Sequence, residues 1–152
     1  MTGALRLTRD DALGPDTLAM IAESEAELAG IYPPEVRFAF SPDELRGAGV
    51  IMLVAHRGAT PVGCGGLAPC AGYGELKRIF VTQSARGTGV VQAILAGLEA
   101  EASALGLHRI KLETGTRSPE AIRAYEKCGY RRRGPFGPYV ENGSSVFMEK
   151  AL

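Results

Sequence analysis

The chain has 152 residues, enough to bury a substantial core in one domain spanning residues 1–152. Seventeen basic residues balance seventeen acidic ones, so the zero formal charge excludes a broad electrostatic surface for nucleic acid or an anionic membrane. Cys64, Cys70 and Cys128 are odd in number and lack metal-ligand spacing, so neither a disulfide framework nor a metal is expected. No apolar run is long enough for a membrane-spanning helix. No secretory signal pattern opens the sequence, and a reducing cytoplasm is the expected location. Arg131-Arg132-Arg133 is a compact basic run, read as a solvated strand or loop rather than a nucleic-acid patch.

In chain order, Leu5 and Leu7 alternate with polar residues and predict a short strand. A helix follows from Pro15, with Leu18, Ile21, Ala22, Leu28 and Ala29 on one face and Gly30 as its stop. Prolines 33 and 34 make the next segment extended or turning, and its aromatics, Tyr32, Phe38 and Phe40, read as exposed on a loop. Ser41-Pro42-Asp43-Glu44 is a capping box opening a short helix that ends at Gly47. The apolar run Val50–Ala55 predicts a central strand, and Arg57–Thr60 a turn. Pro61–Leu67 predicts an antiparallel return strand whose glycines permit close approach.

Tyr73–Val81 predicts the next strand. Gly87 to about Leu105 predicts the longest helix, with Val91, Ile94, Leu95, Leu98, Ala102 and Leu105 inward and Gly106 as its stop. Arg109–Glu113 alternates as a strand, so strand, helix, strand implies a parallel pair with a right-handed crossover. Ser118-Pro119-Glu120 starts another helix, with Ala121, Ile122, Tyr125 and Cys128 inward and Gly129 as its stop. Tyr130–Arg133 and Ser145–Glu149 predict final strands. The order is a mixed α+β layer fold.

Three phosphate-loop patterns compete for Arg86–Gln92. Free amides at a helix start attract anions, and Gly87 and Gly89 let a ligand reach the backbone. No Lys-Ser or Lys-Thr pair follows, which removes the P-loop, and Gln92 stands where a dinucleotide fingerprint needs its third glycine. The third pattern is Val81, then Arg86-Gly-x-Gly-Val, an apolar helix, a strand ending Glu113-Thr114-Gly115, and Ala121-Ile122-x-x-Tyr125-Glu126-Lys127-x-Gly129-Tyr130. From about Val50 to the C-terminus it resembles the GNAT superfamily of acyl-CoA-dependent N-acetyltransferases.

The resemblance implies a three-layer fold: a central, mixed, mostly antiparallel sheet with a splayed parallel strand pair and helices on both faces. It implies acetyl-CoA as co-substrate and a homodimer; with no metal expected, the near-neutral charge points to a small-molecule amine or amino-acid-like acceptor and leaves a protein N-terminus or lysine open. The CoA diphosphate is expected on Arg86, Gly87, Thr88, Gly89, Val90, Val91 and Gln92, and the pantetheine arm along Ile79, Phe80 and Val81. Two positions depart from the family pattern. Val91 puts a branched side chain where a small one is usual, and Ser118 stands where many members have Asn; its hydroxyl is also a natural helix cap.

Acetyl transfer to an amine needs a base for the ammonium and an acid for the leaving thiolate. Glu75, in the family's glutamate position, is the first choice for the base, against a salt bridge with Lys77 or Arg78. Glu113 is the second. Tyr125 is the expected acid, against a role as a core aromatic. Tyr32, Phe38, Tyr73, Glu113 and Tyr139 are candidate acceptor-binding residues. A CoA-binding regulatory module with little catalysis is the alternative to an enzyme.

Overall fold

The long apolar run near residue 50 sets the frame, because a strand without alternation must be covered on both faces. In the computed structural model, which describes residues 3–152, that run is β2 (Ile51–Arg57), nearly all of it buried. The other strands are β1 (Leu5–Arg9), β3 (Thr60–Cys70), β4 (Tyr73–Val81), β5 (Arg109–Gly115), β6 (Arg131–Arg133) and β7 (Ser145–Ala151). The helices are α1 (Pro15–Ala29), α2 (Pro42–Gly47), α3 (Val90–Ala104) and α4 (Pro119–Lys127), with 3₁₀ turns at Pro34–Val36 and Gln83–Ala85.

The strands form one sheet ordered β1-β2-β3-β4-β5-β7-β6. Every neighbouring pair is antiparallel except β4 and β5, which run parallel, as α3 must cross over between them. Two cores lie on the two faces. One joins Leu95, Leu98 and Ala102 of α3 and Ile122 and Tyr125 of α4 to Leu53, Leu76, Ile110 and Leu112. The other joins Met20 and Ile21 of α1 and Leu45 of α2 to Met52, Val54, Cys64 and Phe80. This is the expected three-layer arrangement. Burying one such leucine is worth about 1.5–3 kcal/mol.

The strand glycines allow α3 and β4 to sit close. A Cβ on Gly63 would stand 2.8 Å from Val90, and one on Gly65 would stand 2.6 Å from Ile79. The capping box closes in both directions: Glu44 N–H donates to Ser41 Oγ and Ser41 N–H to Glu44 Oε1.

Four expectations are corrected. Helix α3 begins at Val90, not Gly87, because Gly87 and Gly89 take left-handed backbone angles, φ 75° and 91°. Leu105 is 52% exposed, since the helix has ended and the chain has turned away. Helix α1 is rotated: Leu18 points out, while Thr17 and Ser24 are buried. Both hydroxyls are satisfied, Thr17 donating to Asp10 at 2.5 Å and Ser24 accepting from Arg78 at 3.4 Å, which removes the usual cost of burying them. Tyr32 is buried rather than exposed, for a reason that lies in the site.

Candidate active site

Strands β4 and β5 pair through Gly74↔Ile110 and Glu75↔Lys111 and then part. The cause lies on the other edge of β4. Its register against β3 runs from Gly66↔Lys77 to Cys64↔Phe80, so Arg78 and Ile79 together oppose Gly65 as a β-bulge. Arg78 has φ 54°, a left-handed conformation costing a non-glycine residue about 1–2 kcal/mol. Its buried guanidinium holds it there: Nε donates to Phe40 O at 2.8 Å, and an ion pair reaches Glu25 on α1. The bend opens a cleft of about 690 Å³ between the strands.

The cleft brings together almost all the predicted site residues: Glu75, Glu113, Tyr125, Tyr139, Ile79, Phe80, Val81, Arg86, Gly87, Gly89, Val90, Val91, Gln92, Ser118, Tyr32 and Phe38. Thr88 and Tyr73 are outside it. The Thr88 hydroxyl turns back to Ala85 O at 2.5 Å and accepts from Arg57 Nη1 at 2.7 Å. Arg57 also donates to Thr88 O at 2.7 Å, so this buried arginine, read from sequence only as a turn residue, braces the glycine loop from behind. Tyr73 instead stacks edge-on with Phe136, 5.8 Å between centroids, beneath Lys111.

The loop before α3 fits an anion. Gly89 is the N-cap and makes no side-chain cap, so the first helical amides are left to other acceptors. No described atom lies within 4 Å of where a Cβ would stand on Gly87 or Gly89, leaving the backbone accessible. Arg86 is partly committed, donating to Val81 O at 3.0 Å and pairing with Glu27 at 2.8 Å. Val91 is half-buried and packs toward the core while still lining the cleft. Phe80 faces the α1 side, so only its backbone is available along the β4 edge; Ile79 and Val81 pack partly on the α3 side.

Ser118 is the N-cap of α4 but makes no side-chain cap bond, contrary to expectation. Its Oγ lies 2.9 Å from the Tyr32 hydroxyl, which also accepts from Arg117 N–H at 2.9 Å. Tyr32 reaches this place by passing over Gly115, where a Cβ would fall 1.9 Å from its Oη. We expect Gly115→Ala to cost about 1–3 kcal/mol by overpacking, and much less in a Tyr32→Ala background, as chemical denaturation of the double-mutant cycle will read.

Glu75, Lys77 and Tyr139 form a closed triad. Lys77 Nζ lies 2.9 Å from Glu75 Oε2 and donates to Tyr139 Oη at 2.8 Å, while Tyr139 donates to the same Glu75 oxygen at 2.5 Å. Both charged side chains are under 10% exposed. Strand period explains the pairing, since residues 75 and 77 share a face. Tyr139 is fixed by edge contacts with Phe38 and Phe136, at 5.6 and 5.1 Å. Glu113 differs. Burial pushes its carboxyl up to about 7, opposed by a hydrogen bond from Ser145 Oγ at 2.7 Å. Burial, with the Glu113 charge adding to it, also raises the Tyr125 phenol, which therefore keeps its proton at neutral pH.

A parallel pair that splays beside a glycine-flanked helix start is a fold for holding an extended, anionic ligand. The match to known proteins is specific: residues 15–130 fit the model of the Acetyltransferase (GNAT) family. The chain belongs to that family and is an acetyltransferase by class. It is 39% identical to the IAA acetyltransferase of Azospirillum brasilense over 148 residues, 96% of this chain and 97% of the relative. The N-acetyltransferase YsnE of Bacillus subtilis, itself uncharacterized, is 32% identical, over 94% and 97% of the two chains. A solved chain from Klebsiella pneumoniae superposes with a TM-score of 0.83, 30% identity and 99% coverage of each. The PaiA N-acetyltransferase of Thermoplasma acidophilum, solved with coenzyme A, shares the fold at TM-score 0.75, 19% identity, and 98% and 99% coverage.

Proposed function

We propose that this enzyme moves the acetyl group of acetyl-CoA onto a primary amine of a small, amino-acid-like molecule by direct attack of the bound amine. The observation that carries the reading is the convergence of Glu75, Glu113 and Tyr125 on the cleft where β4 leaves β5, beside the open start of α3. The coenzyme A bound by the Thermoplasma neighbour supports the choice of co-substrate. Amides between Gly87 and Gln92 would hold its diphosphate, and the free edge of Ile79–Val81 its pantetheine arm, paired as an added strand. Acetyl-CoA supplies an activated acetyl carbon on a sulfur leaving group.

The proton traffic falls to the chain. We assign the base to Glu113, because a carboxyl near 7 exchanges protons at working pH, whereas the Glu75 oxygen already receives Lys77 and Tyr139. Glu75 is then the fixed negative group that orients the ammonium. As the C–N bond forms and the C–S bond breaks, Glu113 accepts the proton from nitrogen and Tyr125 donates one to sulfur. The bulge at Arg78–Ile79 turns β4 backbone toward the cleft, where an amide can polarise the acetyl carbonyl.

Thermal denaturation with acetyl-CoA, CoA, NAD and ATP, followed by free-thiol release over an amine panel, tests the reading. The CoA species at about 100 times Kd should raise Tm by roughly 5–10 °C, with NAD and ATP well below that, and at least one amine should release thiol. No shift with either CoA species overturns the site assignment. A shift without turnover on any amine leaves a CoA-binding regulatory module.

A further inference from the structure

Arg37 lies on the loop between α1 and α2 and lines the cleft. Its Nε is buried and has no hydrogen-bond partner among the described residues. Its remaining contact is loose: Nη1 stands 3.8 Å from Glu25, whose other oxygen already pairs with Arg78. Two guanidinium groups therefore share one carboxylate. The Nε itself is closed to solvent, but the side chain is 22% exposed and lines the cleft, so its outer nitrogens can meet a carboxylate, and a charge-assisted hydrogen bond there would outweigh the loose contact to Glu25. The neighbouring Phe38 stacks on Tyr139, and Tyr139 bonds Glu75. The wall thus runs from a cation, across two aromatic rings, to the acid end of the cleft.

We propose that Arg37 binds a carboxylate of the acceptor, so that the acceptor is an amine bearing a carboxylate, its amine toward Glu75 and Glu113 and its body against Phe38 and Tyr139. This rests on the acetyl-transfer reading and narrows it to a substrate class.

The test uses amino acids whose amine and carboxylate are one to five carbons apart, each matched with its primary amide. Thiol release is measured for the wild type, Arg37→Gln and Arg37→Lys. Comparing ratios between enzymes cancels the different intrinsic reactivity of acid and amide. The wild type should prefer at least one acid over its amide by about 10- to 100-fold in kcat/KM. Arg37→Gln should abolish that preference through KM, with kcat on the amide and stabilisation by acetyl-CoA unchanged. Arg37→Lys should restore part of it, since a point charge lacks the fork. Equal use of acid and amide by the wild type, or a preference that survives Arg37→Gln, overturns the role of Arg37 while leaving acetyl transfer standing. If no acid or amide of this panel releases thiol while another amine does, the role of Arg37 fails and acetyl transfer stands; if no amine at all releases thiol, both readings fail.

Discussion

Replacing Tyr125 by phenylalanine should lower kcat about 10²- to 10³-fold and leave acetyl-CoA affinity nearly unchanged. The side chain is under 10% exposed and stacks edge-on with Tyr130 at 5.9 Å, so the ring carries the packing and only the hydroxyl is lost. Burial raises the phenol, which keeps its proton and makes it a reluctant donor, so in the proposed mechanism its action would begin as a hydrogen bond to the departing sulfur with transfer late. Steady-state kinetics and equilibrium binding together separate this from a structural role. A variant that turns over at the wild-type rate removes Tyr125 as the acid.

Replacing Glu113 by glutamine should have a second effect of similar size, about 10²- to 10³-fold in kcat/KM, with a change in pH dependence. A base must be deprotonated to act, so wild-type activity should rise through pH 7 as Glu113 ionises, and the variant should lose that limb. Stability should move the other way. The folded carboxyl sits near 7 against a reference of 4.5, so the native state holds the proton more tightly than the unfolded chain. Its contribution is therefore fully present below about 4.5 and falls away as pH rises to 7. The gap between 4.5 and about 7 corresponds to about 3 kcal/mol. Glutamine resembles the protonated acid, so Glu113→Gln should melt higher than wild type at pH 8 and about equal to it at pH 4. A persisting limb near 7 with near-normal rates would return the base to Glu75. Glu75 itself is harder to test, because removing it strands the buried Lys77 at a cost of about 3–5 kcal/mol.

The strands were legible wherever one physical signal dominated. Tyr73–Val81 is bounded by a glycine turn and a polar loop, and its ends match the prediction. The helix start at Gly87 was misplaced because Gly87, Thr88 and Gly89 carry no apolar residue to mark where the inward face begins, while the left-handed angles that forbid helix there do not show in a residue type alone. The same limit applies to α1. Thr17 and Ser24 read as surface positions until Asp10 and Arg78 arrive from elsewhere to satisfy them. In the site, the family resemblance pointed to Glu75 and Tyr125, and local pattern located the glycine loop. It missed what distant segments contribute: Tyr139 returning to Glu75, Tyr32 crossing Gly115, Arg57 bracing Thr88, and Arg37 with its unpartnered edge. The salt bridge from Glu75 to Lys77, named from sequence as the alternative to a catalytic role, does form, since a two-residue spacing on a strand puts opposite charges on one face.

The short pairing between β4 and β5 has a mechanical side. Strands β1 to β4 are ladders of antiparallel neighbours, as are β5, β7 and β6, and two residue pairs connect these halves within the sheet. Further connection runs through side chains: α3 and α4 packed on Ile110 and Leu112, Tyr139 bonded to Glu75 and Lys77, and Tyr73 against Phe136. Backbone groups from Leu76 to Val81 that would face β5 have no strand to bond. An extended ligand lying there would act as a temporary eighth strand, carrying load from one half of the sheet to the other. The shortest ladder of the sheet and the proposed site of reaction coincide, so under that proposal the protein would stiffen on loading and loosen on release.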